Sequence, residues 1–115
     1  MFKKVIVVAS VLLLLTGCSA SEVEQLRVNR LANKVNIEAS VGDCVDKNAL
    51  ACYNPLTDET FVTELGLSYD DDTVLCALRH EARHQWQDEN NLIQYVDGVI
   101  VNRDWLEWDA YTNGC

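Results

Sequence analysis

A chain of 115 residues, 49% of them apolar, holds one small globular domain and leaves no room for a second. Eighteen Asp and Glu against nine Lys and Arg give a formal charge of −9, so nucleic acid and anionic lipid surfaces are excluded as favoured partners because both repel the chain.

The chain opens Met1-Phe2-Lys3-Lys4 and then runs Val5 to Leu15 almost without a polar residue. That run is too short to span a bilayer and has the length of a signal-peptide apolar region. It ends in Leu15-Thr16-Gly17-Cys18, which resembles the bacterial lipobox. The resemblance implies that residues 1–17 are removed as a signal peptide and that the Cys18 thiol carries a diacylglycerol, palmitate-type acylation tethering one domain, residues 18–115. Losing Lys3 and Lys4 moves the charge from −9 to −9 − 2 = −11, so membrane contact is expected through acyl chains. Ser19, rather than aspartate, follows the cysteine and implies delivery to the outer membrane, facing the periplasm.

The remaining four cysteines, Cys44, Cys52, Cys76 and Cys115, are an even number in an oxidising compartment, where two disulfides are the expected use. Three pairings are open; Cys44 with Cys52 closes a short hairpin-like loop and is favoured. Ser21-Glu22-Val23-Glu24 reads as a capping box opening a helix with Val23, Leu26 and Leu31 on one side, ending near Lys34. Val35, Ile37, Ala39 and Val41 alternate with polar residues at strand period, and Gly42-Asp43 marks a turn. A second strand is predicted over Leu50 to Tyr53, a turn at Asn54-Pro55-Leu56-Thr57-Asp58, and a third strand from Glu59 to Leu65. A helix then begins after Asp70-Asp71-Asp72, a carboxylate cluster suited to the positive end of a helix dipole and lacking the spacing of a calcium loop. Its predicted apolar line is Val74, Leu75, Leu78, Ala82 and Trp86.

The only two histidines, His80 and His84, lie beside that line, four residues apart. This spacing stacks both imidazoles one turn apart so that they can reach one metal ion, and it brings Glu81, about 100° round the axis, near the open side of that ion. His80-Glu81-Ala82-Arg83-His84 matches the H-E-x-x-H motif and resembles the zincin metallopeptidases, in which the histidines bind zinc and the glutamate takes a proton from the zinc-bound water. The bland alternative is a solvated helix face.

The resemblance implies a third ligand, and with no histidine left it must be a carboxylate or a thiolate. Glu107-Trp108-Asp109-Ala110-Tyr111 resembles the third-ligand segment of compact gluzincins and assigns that role to Glu107, 107 − 84 = 23 residues after His84. Asp104 and Asp109 are rivals for it, with acceptors for imidazole N–H groups as their alternative role. Tyr111 stands where the family often has an aspartate. Cys76 continues the His80, His84 stripe, but a thiolate there would leave an odd thiol, so a disulfide to Cys115, tying the histidine helix to the chain beyond Glu107, is the better expectation. Tyr95 and Tyr111, and more weakly Arg103, are candidates to hold the developing oxyanion. Segment Leu92 to Val101 is expected to cross and bring the Glu107 helix back. If the likeness holds, the strand Glu59 to Leu65 is the edge that aligns a peptide by β-augmentation. Trp86, Trp105 and Trp108 are expected as packing residues.

These readings add up to an α+β domain, a minimal zincin with a small antiparallel sheet against the histidine helix, acting as a monomeric, one-zinc peptidase on peptides or proteins. Two alternatives stand beside it: a catalytically silent, zinc-stabilised envelope lipoprotein that binds a partner, and a structural lipoprotein without metal.

Overall fold

The structure, a computed structural model, describes residues 20–115; the apolar run Val5 to Leu15 and Cys18 lie outside the described residues. In chain order the elements are α1 (Ala20–Lys34), β1 (Ser40–Val41), β2 (Ala51–Asn54), β3 (Glu59–Val62), the short α2 (Glu64–Leu67), α3 (Asp71–Glu89), β4 (Tyr95–Val96), β5 (Val99–Ile100) and α4 (Arg103–Asn113). The order and the separate small sheets make it α+β, as the sequence predicts. No described helix is long and apolar enough to cross a membrane.

Helix α1 starts at Ala20, so Ser21 lies inside it rather than capping it. Its buried stripe is Val28, Leu31 and Ala32, whereas Val23 is 52% exposed. The stripe is turned from the predicted one because Gln25 stands where an apolar residue would be expected. Its Nε2 donates to the Ala39 carbonyl (3.2 Å) and its Oε1 accepts from the Val41 N–H (2.9 Å), so the helix supplies the hydrogen bonds that a neighbouring strand would give β1.

The strand predicted over Val35 to Val41 shrinks to Ser40–Val41. Asn36 sits at φ 59°, Ile37 N–H donates to Ala32 O (3.2 Å) and Asn36 N–H to Asn33 O (3.2 Å), which together form a Schellman cap. Val35, Ile37 and Ala39 still pack on the core, so the alternation records burial without pairing.

β2 and β3 form an antiparallel hairpin (Ala51↔Val62 to Asn54↔Glu59), and β1 lies parallel to β3 (Ser40↔Phe61, Val41↔Val62). The order β1-β3-β2 makes the sheet mixed, not antiparallel, because the chain from β1 crosses past β3 before returning as β2. β3 also ends earlier than predicted, at Val62, since Thr63 caps α2 by accepting from Gly66 N–H (3.1 Å) while donating to Ala49 O (2.7 Å). A Cβ at Gly66 would collide with the Leu50 carbonyl oxygen, which fixes glycine there.

Asp70 caps α3, accepting from Thr73 N–H at 2.9 Å, and Asp71 pairs with Arg27 (2.8 Å) and Arg30 (3.0 Å) of α1. Val74 and Leu78 of α3 join Val28, Leu31, Ala32 and Val62 in the core. Trp86, Trp105 and Trp108 do not fill it, being 41%, 43% and 61% exposed. Trp86 instead carries the Arg83 guanidinium 3.7 Å above its ring. The segment Leu92 to Val101, predicted only to cross, contains the β4–β5 hairpin, turned by Asp97 and Gly98 at φ 50° and 78°. Both favoured disulfides are present, Cys44–Cys52 and Cys76–Cys115.

Candidate metal centre

Helices α3 and α4 pack against each other and bring three donors together. His80 and His84 stand one turn apart on α3, ring centroids 4.8 Å apart, and Glu107 reaches across from α4. Its Oε1 lies 2.6 Å from His84 Nε2 and its Oε2 3.4 Å from His80 Nε2. Donor atoms of the three residues fall within 4.8 Å of one another, a grouping that can hold a metal ion.

The second nitrogen of each ring is also engaged. His80 Nδ1 is 3.1 Å from the Cys115 carbonyl oxygen, and His84 Nδ1 is 2.8 Å from Gln87 Oε1. Both partners are acceptors, so both Nδ1 atoms donate and both Nε2 atoms face the Glu107 carboxylate, the positions from which they could ligate a metal ion. The orientation of Gln87 is itself fixed. Fully buried, it donates through Nε2 to Leu106 O (2.9 Å) and Asp109 Oδ2 (2.8 Å), both obligate acceptors, which leaves Oε1 for His84.

Asp109 completes the weld between the helices. Arg83 donates to it twice, at 2.8 and 3.1 Å, and Asn113 Nδ2 once, at 2.8 Å. Arg83 above all, with Gln87 and Asn113, lowers the Asp109 carboxyl to about 2. Asp109 therefore supports His84 through Gln87 and does not join the metal group; Asp104, exposed in the first turn of α4, stays outside it too. Cys76, the other rival, is in its disulfide, and that bond holds Cys115 where its carbonyl meets His80.

Glu81 is 8% exposed beside this group. Burial, aided by the charge of Glu107 and opposed by a hydrogen bond from Tyr53 N–H, pushes its carboxyl up to about 8. That hydrogen bond reveals the strand next to the site. Thr63 N–H donates to Leu50 O, so the Leu50–Thr63 pair is hydrogen-bonded and the alternation turns the N–H and C=O of Ala51 and Tyr53 away from β3. β3 is central in its sheet, so the predicted aligning edge, Glu59 to Leu65, is wrong; the free edge facing α3 is β2. The Tyr53 hydroxyl ties β2 to α3 through Asp88 (2.7 Å).

A cleft of about 670 Å³ opens from the donor group, walled by His80, Glu81, Glu107 and Tyr111 at that end. The Tyr111 ring lies 4.4 Å from the His80 ring. Tyr95, in the remote hairpin, and Arg103, exposed at the start of α4, do not line it. Sequence reasoning missed Gln87 and the supporting role of Arg83. The signal was a buried-face position, three residues after His84, taken by an amide. Comparison with protein-family models, with curated proteins and with solved structures gives no match.

Proposed function

We propose that this protein is a zinc-dependent peptidase of the zincin kind, tethered to the bacterial envelope through an acylated Cys18. The observation that carries the proposal is the convergence of the two Nε2 atoms with Glu107, open to a cleft and flanked by buried Glu81. Two imidazoles and one carboxylate are a donor set of catalytic zinc sites, which keep a fourth position for water, whereas structural sites close with four protein ligands. Only three protein donors converge here among the described residues, which favours the catalytic reading over the silent, metal-stabilised one.

Zinc, when bound, supplies a water of lowered pKa and polarises the scissile carbonyl. Glu81 is held by Tyr53 N–H, and a dication beside it would return its carboxyl to the charged form needed in a base. As water adds to the carbonyl carbon, Glu81 takes its proton and passes it to the nitrogen as the C–N bond breaks. Tyr111, on the cleft wall, can donate to the oxygen that gains charge. The outward C=O and N–H of Ala51 can pair with an extended substrate.

Glu81→Gln and Glu107→Ala test the reading together. Glu81→Gln should abolish cleavage of a mixed peptide library while zinc content stays at one per chain, and Glu107→Ala should lose zinc. Unchanged cleavage in Glu81→Gln would overturn the proposal.

A further inference from the structure

The cleft has a direction. Asp72, Cys76 and His80, together with Thr73, Ala77 and Glu81, are two i, i+4, i+8 rows of α3 that all line it, so it runs along the helix from the donor group towards the α3 N-terminus. Eight residues separate Asp72 from His80, about 12 Å of helix. The opposite wall is the loop stapled by Cys44–Cys52 together with the free edge of β2, contributing Asp46, Asn48 and Ala51.

Charge along this path is one-sided. Four carboxylates line the cleft, and neither Lys nor Arg does; Lys47, beside Asp46, and Arg79, beside His80, are both outside the lining. At the donor end, a dication would offset Glu81 and Glu107. Asp46, from the stapled loop, and Asp72, from the first turn of α3, both line the cleft, and neither forms an ion pair among the described residues. Asp46 Oδ1 is occupied by Asn48 N–H (2.9 Å), leaving Oδ2 free.

Resting on the peptidase reading, we infer that the cleft selects peptides carrying a lysine or arginine side chain, held between Asp46 and Asp72, two or three residues from the bond that lies at the metal centre. The spacing follows from reach: an extended chain advances about 3.4 Å per residue, and a lysine or arginine side chain covers the remaining few ångströms of the 12 Å path. Small walls at Ala49, Ala51 and Ala77 leave room for that side chain, and an acidic residue there would meet two like charges.

The test uses N-acetylated octapeptides that differ only in carrying Lys, Gln or Glu at one position, and a matching set with a free N-terminus and no lysine. Cleavage is measured with the zinc-loaded wild type, and binding with zinc-loaded Glu81→Gln. Lysine should be favoured over glutamine by up to about fivefold for each carboxylate and by more over glutamate, with the preference fading at high salt. Asp46→Asn with Asp72→Asn, which keeps the acceptor for Asn48 N–H, should remove the preference while cleavage of the Gln peptide persists. Equal handling of Lys and Gln, a preference that survives both substitutions, or selection of the free-amine set alone would overturn the inference. Selective binding with no cleavage of any peptide would sustain it and overturn the peptidase reading; cleavage without selectivity would do the reverse.

Discussion

Replacing Glu81 by glutamine should change how stability depends on pH more than it changes stability itself. In the metal-free protein this carboxyl is raised from 4.5 to about 8, chiefly by burial, so between those values the folded chain keeps a proton that the unfolded chain has released. Stability then falls as pH rises across the window and levels off above it. Each unit is worth about 1.4 kcal/mol, so going from pH 5.5 to 7.5 removes about 3 kcal/mol. In a domain of this size that is a fall in Tm of roughly 10–20 °C. Glutamine fills the same space without the titration. Thermal melts by circular dichroism, with chelator present and disulfides intact, at pH 5.5, 6.5 and 7.5, should show a steep decline in wild type and a markedly flatter one in Glu81→Gln. All other titrating groups are common to both, so parallel curves would refute the account of Glu81 as a desolvated carboxyl.

Gln87→Leu should cost about 2–4 kcal/mol in urea unfolding, since it strips partners from Asp109, Leu106 O and His84; it should also weaken zinc about 10–100-fold by equilibrium competition. Cys76→Ser with Cys115→Ser should free the carbonyl that orients His80 and lower zinc affinity, with the donors themselves untouched; unchanged affinity would show that the disulfide is not needed for that contact. Asp109, held near 2 against an ordinary 3.8, contributes stability above about pH 4 that is lost as pH falls towards 2, about 2 kcal/mol in denaturant titrations. Asp109→Asn should lack that acid-sensitive component.

Much of the centre was legible because metal chemistry restricts both residue type and spacing. With two histidines in the chain, four apart, the helix stripe followed, and the resemblance of Glu107-Trp108-Asp109-Ala110-Tyr111 to a gluzincin third-ligand segment put Glu107 ahead of its rivals Asp104 and Asp109. Both disulfides were legible for related reasons, one from a short loop and one from the need to fix α4. The errors came where backbone polar groups found partners that periodicity does not encode. Gln25 serves the edge of β1, which turned the α1 stripe. The Asn36 cap took Val35 and Ile37 out of the sheet. Thr63 diverted β3 into α2, and the crossing of β1 past β3 made β2 the free edge. Asp97-Gly98 was a readable turn signal and went unused. The three tryptophans stay outside the core, although Trp86 packs against Arg83 as expected, and Gln87 takes the fully buried place beside α4 because it satisfies three polar groups at once.

X-ray absorption spectroscopy at the zinc edge on the mature protein, purified without chelator and carrying stoichiometric metal, tests the central claim most directly. One zinc with two imidazole nitrogens near 2.0–2.1 Å and two further oxygens, from Glu107 and water, is the expected result, with the zinc signal lost from Glu107→Ala. Absence of bound zinc, a sulfur ligand near 2.3 Å, or full zinc content in Glu107→Ala would contradict it.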